Sequence, residues 1–345
     1  GRVRMRYDGV LRETDPPPAG LMPKAVNRFK IMAGMDVTER RLPQDGRIQA
    51  MVNGKDIDMR VNALPVYHGQ RLVVRFLVRQ KVSLDLAKVG LDDEGLKKVR
   101  RICHLPSGLV IANGPVGSGK TTLLYCMLNE INEPARCILT VEDPVEYLID
   151  GIAQVQVNPQ IGLTYARAVR SMLRQAPNVI MVGELRDLEI IELCAMVAIT
   201  GHLLFSTIHC DSGVEAIRRL LDVGLEPHTV NSALAAVVSI RLVRTLCGKC
   251  KRPAEPDRNI MPPQAVELLS SLPEASFHAP VGCDACGRSG FRGRTALFEI
   301  LVVDDTIRGA LSEPTDMAAV ARAAREGGMK SLLTDGIEKA AAGLT

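Results

Sequence analysis

The chain has 345 residues, enough for two or three domains, and its 24% charged and 46% hydrophobic residues are typical of globular proteins with a packed core. A formal net charge of +4 does not demand a polyanionic partner, and an aromatic content of 3% without Trp argues against platforms that stack single-stranded nucleic acid. The longest apolar run, LCAMVAITGHLLFSTI, is interrupted by Thr, Gly and His, so no membrane-spanning segment is predicted.

Residues 1 to about 82 predict the strands of a small α/β module. The pairs Asn53-Gly54 and His68-Gly69 interrupt alternating stretches and are hairpin signals. The stretch LMPKAVNRFKIMAGM predicts a short helix, and KVSLDLAKVGLDDEGLKKVRRICH predicts a linker and a second helix. An apolar strand, GLVIAN, then ends at Asn113.

A phosphate-binding loop follows this strand. The stretch GPVGSGKT fits the spacing G-x-x-x-x-G-K-[ST] and precedes TTLLYCMLNEI, which has helical periodicity; strand, loop and helix are the context that the motif requires. Its glycines bring backbone N–H groups to phosphate, and its lysine and hydroxyl serve the β/γ-phosphates and Mg²⁺. A glycine-rich turn with a chance lysine is the disfavoured alternative. The predicted nucleotide-binding residues here are Gly114, Pro115, Val116, Gly117, Ser118, Gly119, Lys120, Thr121 and Thr122.

Strands alternate with helices from there to about residue 245, which predicts a wound, mostly parallel sheet. Glu184 follows the strand NVIMV, and Glu142 and Asp143 end the strand ILTVED. At the carboxyl edge of such a sheet these acids face the nucleotide crevice. There Glu184 could orient or deprotonate the attacking water or help hold Mg²⁺ through water, and Glu142 and Asp143 suit an indirect metal or water role; solvated acids in simple turns are the alternative. His202 and His209 bracket the strand LLFSTI, and either one could sense the γ-phosphate or be structural.

The nine cysteines form two sets. Five stand singly in apolar or helical contexts and are predicted to be reduced core residues: Cys103, Cys126, Cys137, Cys194 and Cys210. The other four form two C-x-x-C pairs that predict a structural Zn²⁺ site, with the helix PPQAVELLSSL in the insertion between them. Redox dithiols or disulfides are the alternative, disfavoured because a P-loop protein belongs in a reducing cytosol. The predicted zinc ligands are Cys247, Cys250, Cys283 and Cys286.

The last segment, residues 296–345, is predicted to be helical, with capping Gly and Asp. Phosphoryl transfer also needs further positive charge at the γ-phosphate. Two groups of arginines are candidates, although each residue could be simple surface charge. The candidates are Arg47, Arg60, Arg71 and Arg75 in the N-terminal strands, and Arg167, Arg170 and Arg174 on one helix.

The ordered motifs GPVGSGKTTLLY, ILTVEDPVEY, LRQAPNVIMVGELRD and TGHLLFSTIH resemble the Walker A, Asp, Walker B and His boxes of the secretion ATPase superfamily, the motors of type II secretion and type IV pili. Upstream and downstream motifs extend the resemblance over the whole chain. It implies a ring hexamer with this domain order: 1–85, a PAS-like α+β domain with a linker; 86–245, a RecA-like P-loop ATPase domain; 246–295, the tetracysteine zinc module; 296–345, a C-terminal helical region. A further N-terminal domain that docks on a membrane platform would lie outside this chain.

The resemblance also implies the roles of single residues. Lys120 and Thr121 would bind phosphate and Mg²⁺, and Glu184 would be the catalytic carboxylate. Glu142 would support the metal or the water, and His209 or His202 would report on the phosphate. Arg47 and Arg60 match arginines that the family brings to the nucleotide. One departure is that the family's RQDPD has Ala176 and Asn178 here in place of its acids, which puts a fine electrostatic role in doubt but not hydrolysis.

The predicted function is that of a cytoplasmic ATPase, peripheral at the inner membrane through platform proteins, that uses ATP, Mg²⁺ and Zn²⁺ to drive pseudopilus assembly and protein secretion. Type IV pilus extension is the alternative; the cysteine pairs argue against the retraction motors, which lack this module. A nucleic-acid motor and a nucleotide-gated scaffold are less favoured, and no nucleic-acid partner is expected.

Overall fold

The computed structural model describes residues 1–52, 54–78, 84–270, 272, 275–312 and 315–345. It divides into two compact units, Gly1–Ser83 and Leu84–Thr345. In the described part of the chain, no helix combines the length and the apolar character needed to cross a bilayer. The first residue of the Asn53-Gly54 turn and the predicted linker residues 79–83 lie outside the described ranges. The domain limits at 85, 245 and 295 stay predictions.

The N-terminal unit consists of a two-stranded hairpin, a helix and a three-stranded antiparallel sheet. Its elements are β1 (Val3–Tyr7), β2 (Val10–Thr14), α1 (Met22–Met32), β3 (Gln44–Val52), β4 (Lys55–Val66) and β5 (Gly69–Val78). Because side chains alternate along a strand, one face of the larger sheet carries Ile48, Met59 and Val61, which pack with Phe29 of the helix. The turn at His68 joins β4 to β5, which confirms that hairpin. The PAS-like assignment stays a prediction.

The larger unit alternates strands and helices, as its sequence predicts. Its elements are α2 (Asp93–Cys103), β6 (Gly108–Asn113), α3 (Lys120–Glu130), β7 (Ile138–Glu142), β8 (Ala153–Gln156), α4 (Tyr165–Met172), β9 (Val179–Val182), α5 (Leu188–Ile199), β10 (Leu203–Ile208), α6 (Gly213–Asp222), α7 (Pro227–Ala233), β11 (Leu234–Leu246), β12 (Arg252–Pro253), α8 (Pro263–Ser270), β13 (His278–Ala279), β14 (Phe291–Val302), α9 (Asp305–Ala310), α10 (Met317–Glu326) and α11 (Leu332–Ala341).

A seven-stranded sheet forms the centre of this unit, in the order β14-β11-β6-β10-β9-β7-β8. All pairs are parallel except β11 with β14. Every residue of β6 and β10 is buried, as expected for strands covered on both faces. Two apolar clusters cover the two faces, one with α2 and α3 and the other with α4 to α7, α9 and α10. The predicted parallel sheet is therefore confirmed.

The region from residue 296 is not helical throughout. Residues 296–302 belong to β14, which pairs antiparallel with β11 at the edge of the sheet, so the helical prediction is wrong for this stretch. The sequence TALFEILVV is rich in β-branched and apolar residues, and Ala296, Phe298 and Leu301 are buried. A strand lets these side chains cover β11, whereas a helix would leave the edge of β11 unpaired. Helices α9, α10 and α11 follow it, as predicted.

Candidate functional site

Four parallel strands of the central sheet end side by side. Their last residues are Asn113 of β6, Ile208 of β10, Val182 of β9 and Glu142 of β7. The phosphate-binding loop, the second bracketing histidine and both predicted acids therefore lie at one edge of the sheet. In doubly wound sheets this carboxyl edge is where ligands bind.

The phosphate-binding loop has a backbone that glycine permits and other residues resist. Gly114, Gly117 and Gly119 have φ values of 148°, 76° and 100°. A Cβ on Gly114 would lie 2.7 Å from Ser118 Oγ. That hydroxyl is buried and, within the described residues, has no hydrogen-bond partner. A buried donor facing the loop interior fits an incoming phosphate oxygen, because leaving such a group unpaired costs free energy.

The other predicted nucleotide-binding residues lie at the tip of the loop and in the first turn of the helix that follows it. Pro115 and Val116 form the exposed tip, and the side chain of Val116 is 84% exposed. Thr121 and Thr122 lie half-buried in the first turn of α3, which begins at Lys120. The N-terminal end of this helix directs free N–H groups and a positive dipole at the loop. The Thr121 hydroxyl is at the place where P-loop proteins bind Mg²⁺.

Lys120 is turned back onto its own loop. Its Nζ donates to Gly114 O at 2.6 Å and Pro115 O at 3.0 Å, and it lies 3.1 Å from His209 Nδ1. His209 Nδ1 lies 3.1 Å from both Lys120 Nζ and Gly114 O: it accepts from the ammonium in the Nε2–H tautomer and donates to the carbonyl in the Nδ1–H tautomer. Burial lowers the pKa of Lys120 to about 8. The groups in contact with the lysine Nζ are two backbone carbonyls and the His209 ring.

Glu184 lies on the other side of His209. Its Oε1 is 3.4 Å from His209 Nε2, and its Oε2 accepts from Arg186 Nε at 2.9 Å. Arg186 also reaches Asp143 Oδ2 at 3.4 Å and lies 5.5 Å from the centre of the Tyr165 ring. The hydrogen bond with Glu184 raises the pKa of Arg186. Because Arg186 occupies Oε2, Oε1 is the carboxylate oxygen that faces the P-loop side.

Glu142 has a different environment. Its side chain is buried, and it accepts hydrogen bonds from Tyr125 OH, from Thr140 Oγ1 at 2.5 Å and from Gln154 Nε2 at 3.2 Å. Burial raises the pKa of this carboxyl group. The three donors belong to α3, β7 and β8, and none of them is a loop residue. Its predicted support of metal or water stays a prediction.

The two bracketing histidines lie at opposite ends of β10. His202 precedes the strand, its carbonyl accepts from Gly108 N at 3.0 Å, and its Nδ1 is 3.2 Å from Val197 O. A six-residue strand separates it by about 20 Å from the other end. Within one chain the structure therefore brings His209, and not His202, to Lys120.

The predicted arginines of the N-terminal unit lie on one face of its sheet. Arg47 on β3 is directly opposite Arg60 on β4, which is opposite Arg75 on β5. Arg47 also forms a forked ion pair with the buried carboxylate of Asp58, with Nε 2.7 Å from Oδ1. This ion pair raises the pKa of Arg47. In this row Arg47 and Arg75 are exposed and Arg60 is half-buried.

The four paired cysteines converge on a second site. Their Sγ atoms lie within 4.8 Å of one another. Three of the separations are 3.9, 3.9 and 3.8 Å, close to the edge of about 3.8 Å that a tetrahedron with Zn–S bonds of about 2.3 Å requires. A disulfide needs about 2.05 Å, and all four are free cysteines. The donor set and its geometry fit Zn²⁺.

Backbone N–H groups also point at these sulfurs. Cys283 N and Gly290 N donate to Cys286 Sγ at 3.1 and 3.3 Å, and Gly282 N donates to Cys250 Sγ at 3.3 Å. The hydrogen bond from Cys283 N lowers the pKa of Cys286 to about 6, whereas desolvation raises the pKa of Cys250 to about 11. Such bonds stabilise thiolates, the form in which cysteine binds zinc.

Several residues at the ATP-site edge have no signal in spacing alone. Arg186 and Tyr165 join the acids only through tertiary contacts, and Arg241 on β11 reaches the loop after His209, 2.9 Å from Asp211 Oδ1. The position of Arg186, two residues beyond a candidate catalytic acid, is the one clue that the sequence offers. No motif identifies the other two.

The chain belongs to the family described as "Type II/IV secretion system protein", whose match extends over residues 1–345. It is 42% identical over 345 residues to "Type II secretion system ATPase E" of Vibrio cholerae, covering 99% of this chain and 67% of that protein. It is also 42% identical over 345 residues to "Type II secretion system protein E" of Pseudomonas aeruginosa, covering 99% and 68%. These relatives confirm the predicted family and the assignment to type II secretion ATPases.

Solved structures support the fold. The Legionella pneumophila ATPase DotB superimposes with a TM-score of 0.69 at 22% identity, covering 97% of this chain and 84% of that one. The pilus retraction motor PilT with bound ADP gives a TM-score of 0.61 at 22% identity, covering 96% and 88%. These similarities establish a RecA-like ATPase fold for the mixed α/β sheet.

Proposed function

We propose that this ATPase works as a ring hexamer on the cytoplasmic side of the inner membrane, where it drives pseudopilus assembly through membrane platform proteins. The support is its family and its relatives, which are named for type II secretion. The predicted domain order, with a PAS-like N-terminal domain, belongs to the same proposal.

The observation that carries this proposal is a row of contacting side chains at the carboxyl edge of the sheet, formed by Lys120, His209 and Glu184. His209 bridges the ammonium and the carboxylate, with contacts of 3.1 and 3.4 Å. The His209 imidazole thus contacts both Lys120, which would bind the terminal phosphates, and Glu184, which would act on water. A scaffold that only binds nucleotide has no need of that acid.

Binding of ATP exchanges the partners of Lys120. The two carbonyl oxygens that accept from Lys120 are replaced by β- and γ-phosphate oxygens, which interact more strongly with an ammonium. His209 Nδ1 then loses its contact with Lys120 and becomes free to respond to the γ-phosphate. Mg²⁺, held through Thr121, supplies charge neutralisation for the β- and γ-phosphates when it is bound.

Hydrolysis requires a base and positive charge. Glu184 Oε1, the oxygen that Arg186 leaves open, accepts the proton of the attacking water. Glu142 holds the end of β7 from its buried position and supports the water or metal indirectly. The role of Arg47 and Arg60 as arginines that act on the nucleotide belongs to the same proposal and rests on the family resemblance alone.

The tetracysteine module would hold one structural Zn²⁺ through Cys247, Cys250, Cys283 and Cys286. Four cysteine ligands are the donor set of a structural zinc site rather than a catalytic one. The module lies between β11 and β14 in sequence, so zinc would order the connection between these two strands.

Phosphate release tests the proposed function. We expect Mg²⁺-dependent ATP turnover by the oligomer, loss of turnover in Lys120→Ala, and no stimulation by single-stranded DNA or RNA. Nucleic-acid-stimulated turnover with a steep salt dependence would indicate a nucleic-acid motor. ATP binding without phosphate release would indicate a nucleotide-gated scaffold.

A further inference from the structure

The loop that follows His209 is bound on several sides by side chains of the central sheet. This segment, Cys210–Gly213, connects β10 to α6 and is called the 210–213 loop. Buried or half-buried side chains from β6, β11 and β14 contact its backbone. Three separate strands of the sheet therefore hold the backbone of one short loop.

Asn113 joins this loop to the phosphate-binding loop. Its buried amide uses Oδ1 to accept from Cys210 N at 2.8 Å and Nδ2 to donate to Ser212 O at 2.9 Å and Ser239 Oγ at 3.1 Å. Its next residue is Gly114, the first glycine of the phosphate-binding loop. One side chain therefore fixes the distance between the two loops.

Arg241 of β11 contacts the loop from the solvent side. Its Nη2 donates to Cys210 O at 3.4 Å, Asp211 O at 3.0 Å and Asp211 Oδ1 at 2.9 Å, and its Nη1 donates to Ile240 O at 3.1 Å. A Cβ on Gly114 would lie 2.9 Å from Nη1. The guanidinium thus passes directly beside the first turn of the phosphate-binding loop.

Glu299 of β14 completes the set. Its buried carboxylate accepts from Gly213 N at 2.7 Å and from Ser239 Oγ at 3.4 Å. Because Ser239 also accepts from Asn113, the contacts of β6 and β14 form one hydrogen-bonded chain. This chain is buried, so each member is expensive to leave unpaired.

We propose that Asn113, Arg241 and Glu299 are positioning residues for ATP hydrolysis that hold the 210–213 loop and thereby keep His209 at the γ-phosphate. The need arises when Lys120 leaves His209 for the phosphates, because the imidazole then loses its contact with the lysine. A loop held on three sides keeps the His209 imidazole in place while Lys120 moves from it to the phosphates. This inference rests on the proposed role of His209.

A double-mutant cycle on ATP turnover tests the proposal. Asn113→Ala and Glu299→Ala should lower kcat about tenfold or more, since small misplacements at an active site have large effects on rate. Glu299→Gln should restore most of the activity, because Gly213 N and Ser239 Oγ both donate to Oε1, which the amide oxygen can replace. In the matched control Asp222→Ala, which removes an exposed carboxylate at the last residue of α6, outside the 210–213 loop and its contacts, kcat should change less than about twofold.

The same variants are then measured in the His209→Ala background. If the three residues act through His209, their further effect on kcat falls below about twofold there, while KM for ATP stays within about threefold in both backgrounds. Equal losses in both backgrounds would overturn the inference, as would full activity of Asn113→Ala. Wild-type turnover in His209→Ala alone would instead remove the proposed role of that histidine. Thermal unfolding of each variant identifies losses caused by misfolding, and Arg241→Lys provides a third, independent substitution.

Discussion

Replacing Glu184 by glutamine separates binding from chemistry. The amide keeps the shape of the side chain and its contact with Arg186 through an oxygen, but it cannot accept a proton. Loss of a positioned general base lowers rates by about 10² to 10⁴, which is about 3–5 kcal/mol of transition-state stabilisation. The ion pair with Arg186 is partly exposed, 30% and 49% for the two side chains, so its loss costs at most about 1 kcal/mol of stability. Removing a negative charge beside a polyanion leaves ATP affinity equal or higher.

The assay is steady-state phosphate release with Mg²⁺-ATP, together with equilibrium binding of a fluorescent ATP analogue. Glu189→Gln is the matched control, because that acid lies on α5 with a 63% exposed side chain and an ion pair to Arg170. We expect normal turnover for the control and a loss of at least about a hundredfold for Glu184→Gln, with unchanged binding. If Glu184→Gln turned over ATP as fast as the control, the assignment of the base would be refuted.

Three further outcomes follow from the geometry. Burial lowers the pKa of Lys120 to about 8 and phosphate favours the charged form, so ATP binding takes up a proton above that pH. The affinity for ATP should therefore fall by up to about tenfold per pH unit above 8, but not in Lys120→Arg. A flat wild-type affinity profile from pH 7 to 9.5 would contradict this. Glu142→Gln places an amide N–H₂ group among three hydrogen-bond donors and should lower the free energy of unfolding, measured by denaturant titration, by about 1–3 kcal/mol. An unchanged denaturation midpoint would mean that the hydrogen bonds to Glu142 are not formed. Metal analysis should find about one zinc per chain, reduced in Cys283→Ser; metal-free, freshly reduced wild-type protein would exclude the zinc site.

The sheet and its loops were predictable because their signals are local. A β-branched strand, a glycine loop and a periodic helix occur in succession at residues 108–130, and each is decided by near neighbours in sequence. The strand at residues 296–302 was not predictable, because its pairing partner, β11, is distant in sequence. Short apolar runs are ambiguous between helix and strand, and here tertiary pairing decides.

The candidate site shows the same division. Motif spacing identified Lys120, Glu184 and His209, but it did not distinguish His202 from His209 or the environment of Glu142 from that of Glu184. Those differences depend on which end of a strand a residue occupies and on which side chains surround it. The contacts of Asn113, Arg241 and Glu299 with one loop join residues up to 99 positions apart, and no local pattern encodes such a contact.

The most direct measurement is an experimental structure of the oligomer with Mg²⁺ and a non-hydrolysable ATP analogue. We expect the β- and γ-phosphates to lie against the N–H groups of residues 117–121, with Lys120 Nζ moved from its carbonyl partners to phosphate oxygens. Glu184 Oε1 should then lie within one water molecule of the γ-phosphate. A triphosphate bound away from this loop, or a Glu184 carboxylate directed to bulk solvent in every protomer, would contradict the account.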